Sequence, residues 1–155
     1  MSQIKEENYK KQLCKDLVRL KKYDVAVIGG ATSGSFFARK MAEKGYSVFY
    51  GSADNIIKQM EKERFGRSNG DIEEEIENAD LLIIDDLGTE FKTAFSETAV
   101  YQLINNAILN SKPMIISSNL SITELEERYG QRVVSRLNSF EVINFIGTDI
   151  RQIKK

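Results

Sequence analysis

Short apolar runs alternate with longer stretches of mixed polarity along most of the chain. The runs DVAVI, SVFY, LLIID, PMIIS and EVINFI have the length and the β-rich content of buried strands. Between them, helices are expected to begin near Gly34, Asp54, Asp71 and Ser96, with one or two more between Ser121 and Asn138. Because parallel strands need crossover connections, this alternation predicts an α/β three-layer sandwich around a parallel sheet of five strands.

The residues ahead of the first strand, 1–22, have the pattern of an amphipathic helix. Apolar side chains recur there at near-helical spacing, at Tyr9, Leu13, Leu17 and Leu20. The polar positions are mostly basic. Because scattered lysines are common on helix surfaces, we expect a solvated helix at the domain edge, with a nucleic-acid or partner contact as the alternative. Residues 23–155 are expected to form a single α/β domain.

The composition excludes several classes of site. There is no histidine, so Ser-His-Asp catalysis, Cys-His catalysis and histidine-bound zinc are excluded within this chain. The single cysteine excludes an internal disulfide. The net charge of -1 gives no overall attraction for nucleic acid or anionic lipid, so such a contact must be local. With no apolar run near the ~20 residues of a membrane span and no signal peptide, we expect a cytoplasmic protein without a membrane partner.

The stretch LLIIDDLGTE carries the most informative chemistry. Its apolar residues 81–84 predict a buried strand, and Asp85 and Asp86 follow at the carboxyl end, where α/β sheets place their ligands. This is the Walker B arrangement, in which the first carboxylate helps to hold Mg²⁺ and the second polarises the attacking water. In the alternative interpretation, one aspartate caps the following turn and the other is merely exposed.

A polar amide follows the next predicted strand, in KPMIISSN. If that strand lies beside the Walker B strand, Asn119 is placed near the two acids, where it can orient water against a γ-phosphate. The alternative is that Asn119 caps the helix beginning near Ser121, because asparagine and serine are common at helix starts.

A glycine-containing loop lies between the first strand and the first helix of the α/β domain. Its spacing from Gly29 to Gly34 fits a Walker A loop, and it also nearly fits the dinucleotide fingerprint G-x-G-x-x-G. In both interpretations the loop holds phosphate, and its candidate nucleotide-binding residues are Gly29, Gly30, Ala31, Thr32, Ser33, Gly34 and Ser35.

Several ordered motifs resemble one family. The stretches SADNIIKQM, LLIIDDLGTE, PMIISSNLSITELEERYGQRVVSRL and GTDIRQIKK are similar to the AAA+ domain of DnaC/DnaI bacterial helicase loaders and IstB-type transposition ATPases. The resemblance covers about residues 50–155. It implies a P-loop NTPase fold, ATP or ADP with Mg²⁺, and work in DNA replication. The partners it implies are further copies of the chain, replicative helicase or loader subunits, and single-stranded DNA.

The same resemblance implies roles for three polar side chains. Asn119 matches sensor 1, Arg136 in VVSRL matches the arginine finger that reaches a neighbouring subunit's γ-phosphate, and Arg151 in TDIRQ matches the sensor 2 arginine. A guanidinium suits both arginine positions because it is always charged and donates in a planar fork. Without the resemblance, the alternative is surface salt bridges with the acidic residues Glu126, Glu127 or Asp149.

The family's Walker A loop is altered in this chain. Ser35 stands where the lysine that bridges the phosphates is expected, and Phe36 replaces the hydroxyl that binds magnesium. We therefore expect very weak or absent ATP hydrolysis. A non-hydrolysing regulatory protein that keeps the AAA+ surface is the alternative of a different class.

Residues 23–49 instead resemble the N-terminal βαβ fingerprint of FAD- or NAD-linked Rossmann flavoproteins. Ala31 replaces the middle glycine of that fingerprint, and Ser52 stands near the expected ribose-binding acid. FAD or NAD is therefore the less favoured cofactor. The chain is interpreted as a mosaic, natural or engineered, of a Rossmann-like first segment and a helicase-loader body.

Overall fold

The structure is a computed structural model that describes residues 26–28 and 33–143, with side chains described from 37 to 142. The N-terminal helix expected at 1–22, the loop residues 29–32 and Arg151 lie outside the described residues. The five strands are β1 (Ala26–Ile28), β2 (Val48–Ser52), β3 (Leu81–Asp85), β4 (Met114–Ile116) and β5 (Glu141–Ile143). They pair in parallel in the order β2-β3-β4-β1-β5, which confirms the α/β fold with a parallel sheet.

Helices connect successive strands, as the crossover rule for parallel sheets requires. They are α1 (Ser33–Ala42), α2 (Ala53–Arg64), α3 (Ile72–Asn78), α4 (Ala94–Leu109), α5 (Ile122–Tyr129) and α6 (Gln131–Leu137). Helix α4 begins two residues earlier than the pattern predicts. The reason is a capping box, in which the Thr93 hydroxyl accepts from the Ser96 N–H and the Ser96 hydroxyl accepts from the Thr93 N–H.

Strand β3 lies at the centre of the core, and all five of its residues are buried. Leu82 and Ile84 belong to the main apolar cluster, together with side chains of α2, α4, α5 and α6. Alternation along the strand directs Ile83 to the opposite face. Helix α1 contacts β2 and β3, and its Phe37 is buried outside that cluster. The sheet is therefore covered on both faces, which explains why LLIID is an uninterrupted apolar run.

The first two strands are not neighbours. Strands β3 and β4 lie between β2 and β1, and β1 pairs with β4 and β5. In dinucleotide-binding and flavodoxin-like sheets, by contrast, the first and second strands lie side by side. The sequence resemblance of residues 23–49 to a Rossmann βαβ unit therefore does not extend to the pairing of its two strands.

The end of β2 also differs from that fingerprint. Ser52, at the position expected for the ribose-binding acid, is the N-cap of α2, and its hydroxyl accepts the Asn55 N–H at 3.3 Å. Within the described ranges, no helix combines the length and the apolar character that crossing a membrane requires.

Candidate functional site

Asp85 is the last residue of β3 and lies buried at the carboxyl edge of the sheet, with 4% of its surface exposed. Both carboxylate oxygens accept hydrogen bonds. The Ser117 hydroxyl donates to Oδ1, and the Tyr50 hydroxyl donates to Oδ2 at 2.9 Å. A buried carboxylate is tolerated only when it is paired or hydrogen-bonded in this way. Asp85 is therefore a carboxyl group held in place at the edge where ligands of α/β sheets bind.

Tyr50 reaches Asp85 from the neighbouring strand. Strand β2 pairs with β3 in a register that places Ser52 opposite Asp85, and the Tyr50 side chain remains 44% exposed. Burial of the hydroxyl and its hydrogen bond to Asp85 raise the pKa of Tyr50. The phenol therefore stays protonated at neutral pH and acts as a donor to the carboxylate. Sequence reasoning missed this contact because a tyrosine in a strand has no distinguishing local signal.

Ser117 joins the two acids. It follows β4, it is 2% exposed, and its hydroxyl donates to Asp85 while accepting the Asp86 N–H at 2.9 Å. A hydroxyl can do both because it carries one hydrogen and two lone pairs. The pairing of β3 with β4 brings the two strand ends together. The sequence predicts that Asn119 from this segment lies beside the acids, but the residue that contacts Asp85 is Ser117.

The chain turns sharply at Asp86. Its φ is +54°, in the left-handed region, and its carbonyl accepts from the Thr89 N–H at 3.2 Å and from the Thr89 hydroxyl at 2.9 Å. The next residue is bound to the end of β4, because the Leu87 N–H donates to the Ser117 carbonyl at 2.8 Å. Asp86 is half-buried and Asp85 is buried. The interpretation in which one of the two acids is merely exposed is therefore wrong.

Asn119 lies two residues beyond Ser117 and is exposed. It does not cap the following helix. The N-cap of α5 is Ser121, whose hydroxyl accepts the Glu124 N–H at 3.2 Å, while the Glu124 carboxylate accepts the Ser121 N–H at 2.7 Å. The capping interpretation of Asn119 is therefore wrong, and its assignment as a water-orienting group stays a prediction.

Arg136 belongs to helix α6, and its side chain contacts helix α4. Its Nε donates to Asn105 Oδ1 at 2.7 Å, and its Cζ lies 4.6 Å from the centroid of the Tyr101 ring. Within residues 33–143 it forms no ion pair with Glu126 or Glu127, so those two salt bridges are not formed. The structure does not bring Arg136 to Asp85. A side chain that acts on a neighbouring subunit does not need to reach its own site.

A metal ion bound here would need ligands beyond those of the protein. The part of the chain that the structure describes contains no group of three or more His, Cys, Asp or Glu side chains placed to hold a metal. Mg²⁺ typically binds through one or two carboxylates, several waters and substrate phosphates. Asp85, as a buried carboxylate with a hydroxyl neighbour, fits that limited protein contribution.

A second surface, at the end of α2, carries an exposed aromatic ring. Phe65 is 60% exposed, and the Arg67 guanidinium lies 5.9 Å from its centroid. Phe95 is also close, with 6.4 Å between the two ring centroids. Lys62 and Arg64 occupy the last turn of α2. An exposed ring beside basic residues can stack on a base while the cations attract its phosphate. The signal in the sequence is the single aromatic in the polar stretch ERFGRSNG.

The comparison with protein families yields one match over most of the chain. The model described as IstB-like ATP binding protein matches residues 10–137. Among curated proteins, the replicative helicase loader DnaC of Escherichia coli strain K12 is 28% identical over 107 residues, covering 64% of this chain and 43% of that protein. The chain thus spans less than half the length of the curated relatives it matches.

Solved structures support the same fold. The crystal structure of the DnaC helicase loader matches with a TM-score of 0.69 and 19% identity, over 87% of each chain. AMPPCP-bound DnaA from Aquifex aeolicus matches with a TM-score of 0.69 and 20% identity, over 85% of this chain and 43% of that one. At these identities the likeness establishes the fold, which is the P-loop AAA+ type of α/β sandwich.

Proposed function

Because the chain belongs to the IstB-like ATP-binding family, we propose that it is the ATP-binding core of a helicase-loader type AAA+ protein that works in DNA replication. The observation that carries this proposal is the environment of Asp85. A buried carboxylate, held by Ser117 and Tyr50 at the carboxyl end of the inner strand β3, is suited to a metal–phosphate ligand. The DnaC and DnaA neighbours, one of them bound to the ATP analogue AMPPCP, support the assignment.

Mg²⁺ would be held here by Asp85 together with the phosphates of the nucleotide. The ion, when bound, supplies positive charge that neutralises the phosphate oxygens. Asp85 contributes the carboxylate and Ser117 keeps it in place. Asp86, fixed in its turn by the hydrogen bonds of Thr89 to its carbonyl, is assigned to orient the attacking water. The assignment of Asn119 to the same water rests on the family resemblance.

Hydrolysis is proposed to be very weak or absent. Ser35 carries no charge to bridge the β- and γ-phosphates, and Phe36 offers no oxygen to the metal. Electrostatic stabilisation at these positions is a main contributor to phosphoryl transfer. Backbone N–H groups at the start of a helix bind anions without any side chain, so residues 29–35 can still hold phosphate. Binding and hydrolysis are therefore separate predictions for this chain.

Assembly into an oligomer would give Arg136 its role. In an assembled ring, a guanidinium on α6 can meet a neighbour's nucleotide, and Arg151 would act on the nucleotide of its own subunit. The chain keeps Arg136 but lacks the Walker A lysine. This combination also favours a second candidate, a non-hydrolysing subunit that joins intact loaders or the helicase. Co-sedimentation with an intact loader distinguishes this candidate from a strictly monomeric protein.

Single-stranded DNA is the proposed ligand of the Phe65 surface. The exposed ring supplies a stacking platform, and Lys62, Arg64 and Arg67 supply positive charge. One structural neighbour is DnaA bound to single-stranded DNA. Fluorescence anisotropy with a labelled oligonucleotide tests the assignment. F65A should weaken binding about fivefold or more, because base stacking contributes about 1–3 kcal/mol, while F91A, which removes another exposed ring, should not.

FAD or NAD is not favoured as the cofactor. A dinucleotide site has adjacent first and second strands and an acid at the end of the second. Here the strand order separates β1 from β2, and Ser52 at the end of β2 serves as a helix cap. An absorption spectrum of the purified protein and a titration with each cofactor test this directly.

The nucleotide assignment is tested by titrating ATP with Mg²⁺ onto the wild-type chain and onto D85N. D85N should bind Mg²⁺-ATP more weakly than the wild-type chain and should bind ATP in EDTA about equally well. E97Q, in a partly buried residue of α4, is the control for loss of one charge. Equal Mg²⁺ dependence of D85N and the wild-type chain would contradict the assignment, and so would robust ATP turnover that D85N abolishes, since hydrolysis is proposed to be very weak.

A further inference from the structure

The turn that follows the two acids is fastened to helix α5 through one buried carboxylate. Glu90 is 3% exposed although it lies in a connecting segment. Its Oε2 accepts the Gly88 N–H at 3.0 Å, which closes the turn on itself. Its Oε1 accepts from the hydroxyl of Tyr129 and from Arg128 Nη2 at 3.3 Å. A buried acid needs partners of this kind, and here they come from two different elements.

The same segment is bound to α5 at further points. Arg128 Nη2 donates to the backbone carbonyl of Glu90, and Lys92 Nζ donates to the Glu127 carbonyl at 3.1 Å. Burial and the hydrogen bond to Glu90 raise the pKa of Tyr129, so its hydroxyl remains a donor. Arg128 and Tyr129 are the last two residues of α5, so these contacts fix the carboxyl end of that helix.

Helix α6 begins immediately beyond this point. Gly130, with φ +80°, is both the C-cap of α5 and the N-cap of α6, and its carbonyl accepts the Val133 N–H at 3.2 Å. No side chain caps the start of α6. The start of α6 is therefore placed by the end of α5, and its buried side chains Val133, Val134 and Leu137 pack in the core.

We propose that Glu90 is a positioning residue that couples the Asp85–Asp86 edge of the sheet to Arg136, by holding the turn after the two acids against the end of α5. The contacts form a continuous path. Thr89 is hydrogen-bonded to the Asp86 carbonyl, and the Gly88 N–H is hydrogen-bonded to the Glu90 carboxylate. Glu90 is in turn hydrogen-bonded to Tyr129, and one glycine separates Tyr129 from α6. A conformational change at Asp85 and Asp86 is thereby transmitted to Arg136 of the same subunit, which is proposed to contact the nucleotide of the neighbouring subunit.

The phosphate roles at the two ends of this path rest on the proposed function. The coupling itself rests only on the contacts and can be measured without nucleotide. Arg136 supplies the reporter, because its Nε–H is bonded to Asn105 and its guanidinium lies over the Tyr101 ring. Such a proton gives a separate resonance in a ¹⁵N–¹H spectrum, and the ring current makes its position sensitive to small movements of α6.

The test compares the Arg136 Nε–Hε resonance in the full-length wild-type chain and in E90Q. E90Q keeps the shape of the side chain and removes its charge. We expect the Arg136 resonance and the Asp86 amide resonance both to move by more than their line widths. E75Q removes one charge from an exposed carboxylate of α3 and should leave both resonances in place.

Y129F is the alternative test variant if E90Q does not fold. It removes one hydroxyl and keeps the buried charge of Glu90 paired with Arg128. It should move the Arg136 resonance as well, by a smaller amount. Shifts confined to residues that contact Glu90, with Arg136 unmoved in the folded variant, would overturn the proposal. A merely structural role of Glu90 would lower the melting temperature without moving a resonance on α6. Failure of the chain to bind ATP would leave this result unaffected.

Discussion

The phenolic hydroxyl of Tyr50 donates to Oδ2 of Asp85 at 2.9 Å and so joins β2 to β3 at the edge of the sheet where nucleotide is proposed to bind. The opposite oxygen of the same carboxylate is taken by Ser117. Each carboxylate oxygen has two lone pairs, so a metal ion or its bound water competes with one of these hydroxyls where it approaches along the lone pair that the hydroxyl uses. Tyr50 is the more exposed of the two and the easier to displace.

Y50F should strengthen metal binding at this edge. Removing the hydroxyl frees Oδ2 of Asp85, and a net hydrogen bond of about 0.5–1.5 kcal/mol corresponds to about a two- to tenfold change in affinity. The measurement is the dissociation constant of Mn²⁺ in the presence of ATP, followed by electron paramagnetic resonance. Y46F, in a tyrosine that is 39% exposed, is the matched control. Unchanged or weaker Mn²⁺ binding in Y50F would show that Tyr50 does not compete with the metal.

S117A should destabilise the protein. The serine hydroxyl is the donor to Asp85 Oδ1 and the acceptor of the Asp86 N–H, and leaving such buried groups without a partner costs about 1–3 kcal/mol. The free energy of unfolding from urea denaturation measures the loss. S139A, in an exposed serine, should stay within about 0.5 kcal/mol of the wild-type value. A loss in S117A no larger than that in S139A would mean that Ser117 is not the link between the two acids.

G88A tests the turn that follows the acids. Gly88 has φ +106°, and a Cβ added there would lie 2.4 Å from Cδ1 of Leu120. Gly66 has φ +64° and open space around the same position. G66A should therefore cost about 1–2 kcal/mol for the left-handed backbone alone. G88A should cost about 1–3 kcal/mol more, for the overlap with Leu120 and for a φ beyond the left-handed well near +60°. Equal losses in urea denaturation would show that Leu120 moves aside freely.

D80N should lower stability at neutral pH and not in acid. The Ser47 N–H and hydroxyl both donate to Asp80 Oδ2 at 2.8 Å and hold the pKa of that carboxyl below its ordinary value. A lowered folded-state pKa stabilises the protein above the unfolded-state value of about 4, and this contribution is lost as the pH falls through the folded-state pKa. Unfolding measured from pH 7 to pH 2 should show the two proteins converging. E75Q, another exposed carboxylate, should show a smaller difference at pH 7.

Local pattern was sufficient to predict most of the fold. The run LLIID predicts a strand covered on both faces, and β3 is buried throughout because helices pack against each side of the sheet. The pattern also predicts a helix that begins near Asp71, and α3 begins at Ile72. These predictions succeed because strand length and helical spacing are properties of neighbouring residues.

The contacts of the site could not be predicted in the same way. Ser117 reaches Asp85 across 32 residues of sequence, and Tyr50 reaches it across 35, so both depend on which strands pair. The strand order also depends on contacts between distant parts of the sequence. Residues 23–49 resemble a unit with adjacent strands, yet the pairing of β1 with β4 and β5 is decided by the rest of the sheet. The stacking of Arg136 on Tyr101 likewise required the packing of α6 against α4.

We propose that this chain has an ATP site whose phosphate loop lacks the usual charged and metal-binding side chains. Calorimetric titration of ATP with Mg²⁺, onto the wild-type chain and the S35K/F36T double variant, tests this proposal. A restored charge-assisted contact is worth about 1.5–3 kcal/mol, so the double variant should bind ATP at least about tenfold more tightly. No gain in ATP affinity in the double variant would contradict the claim.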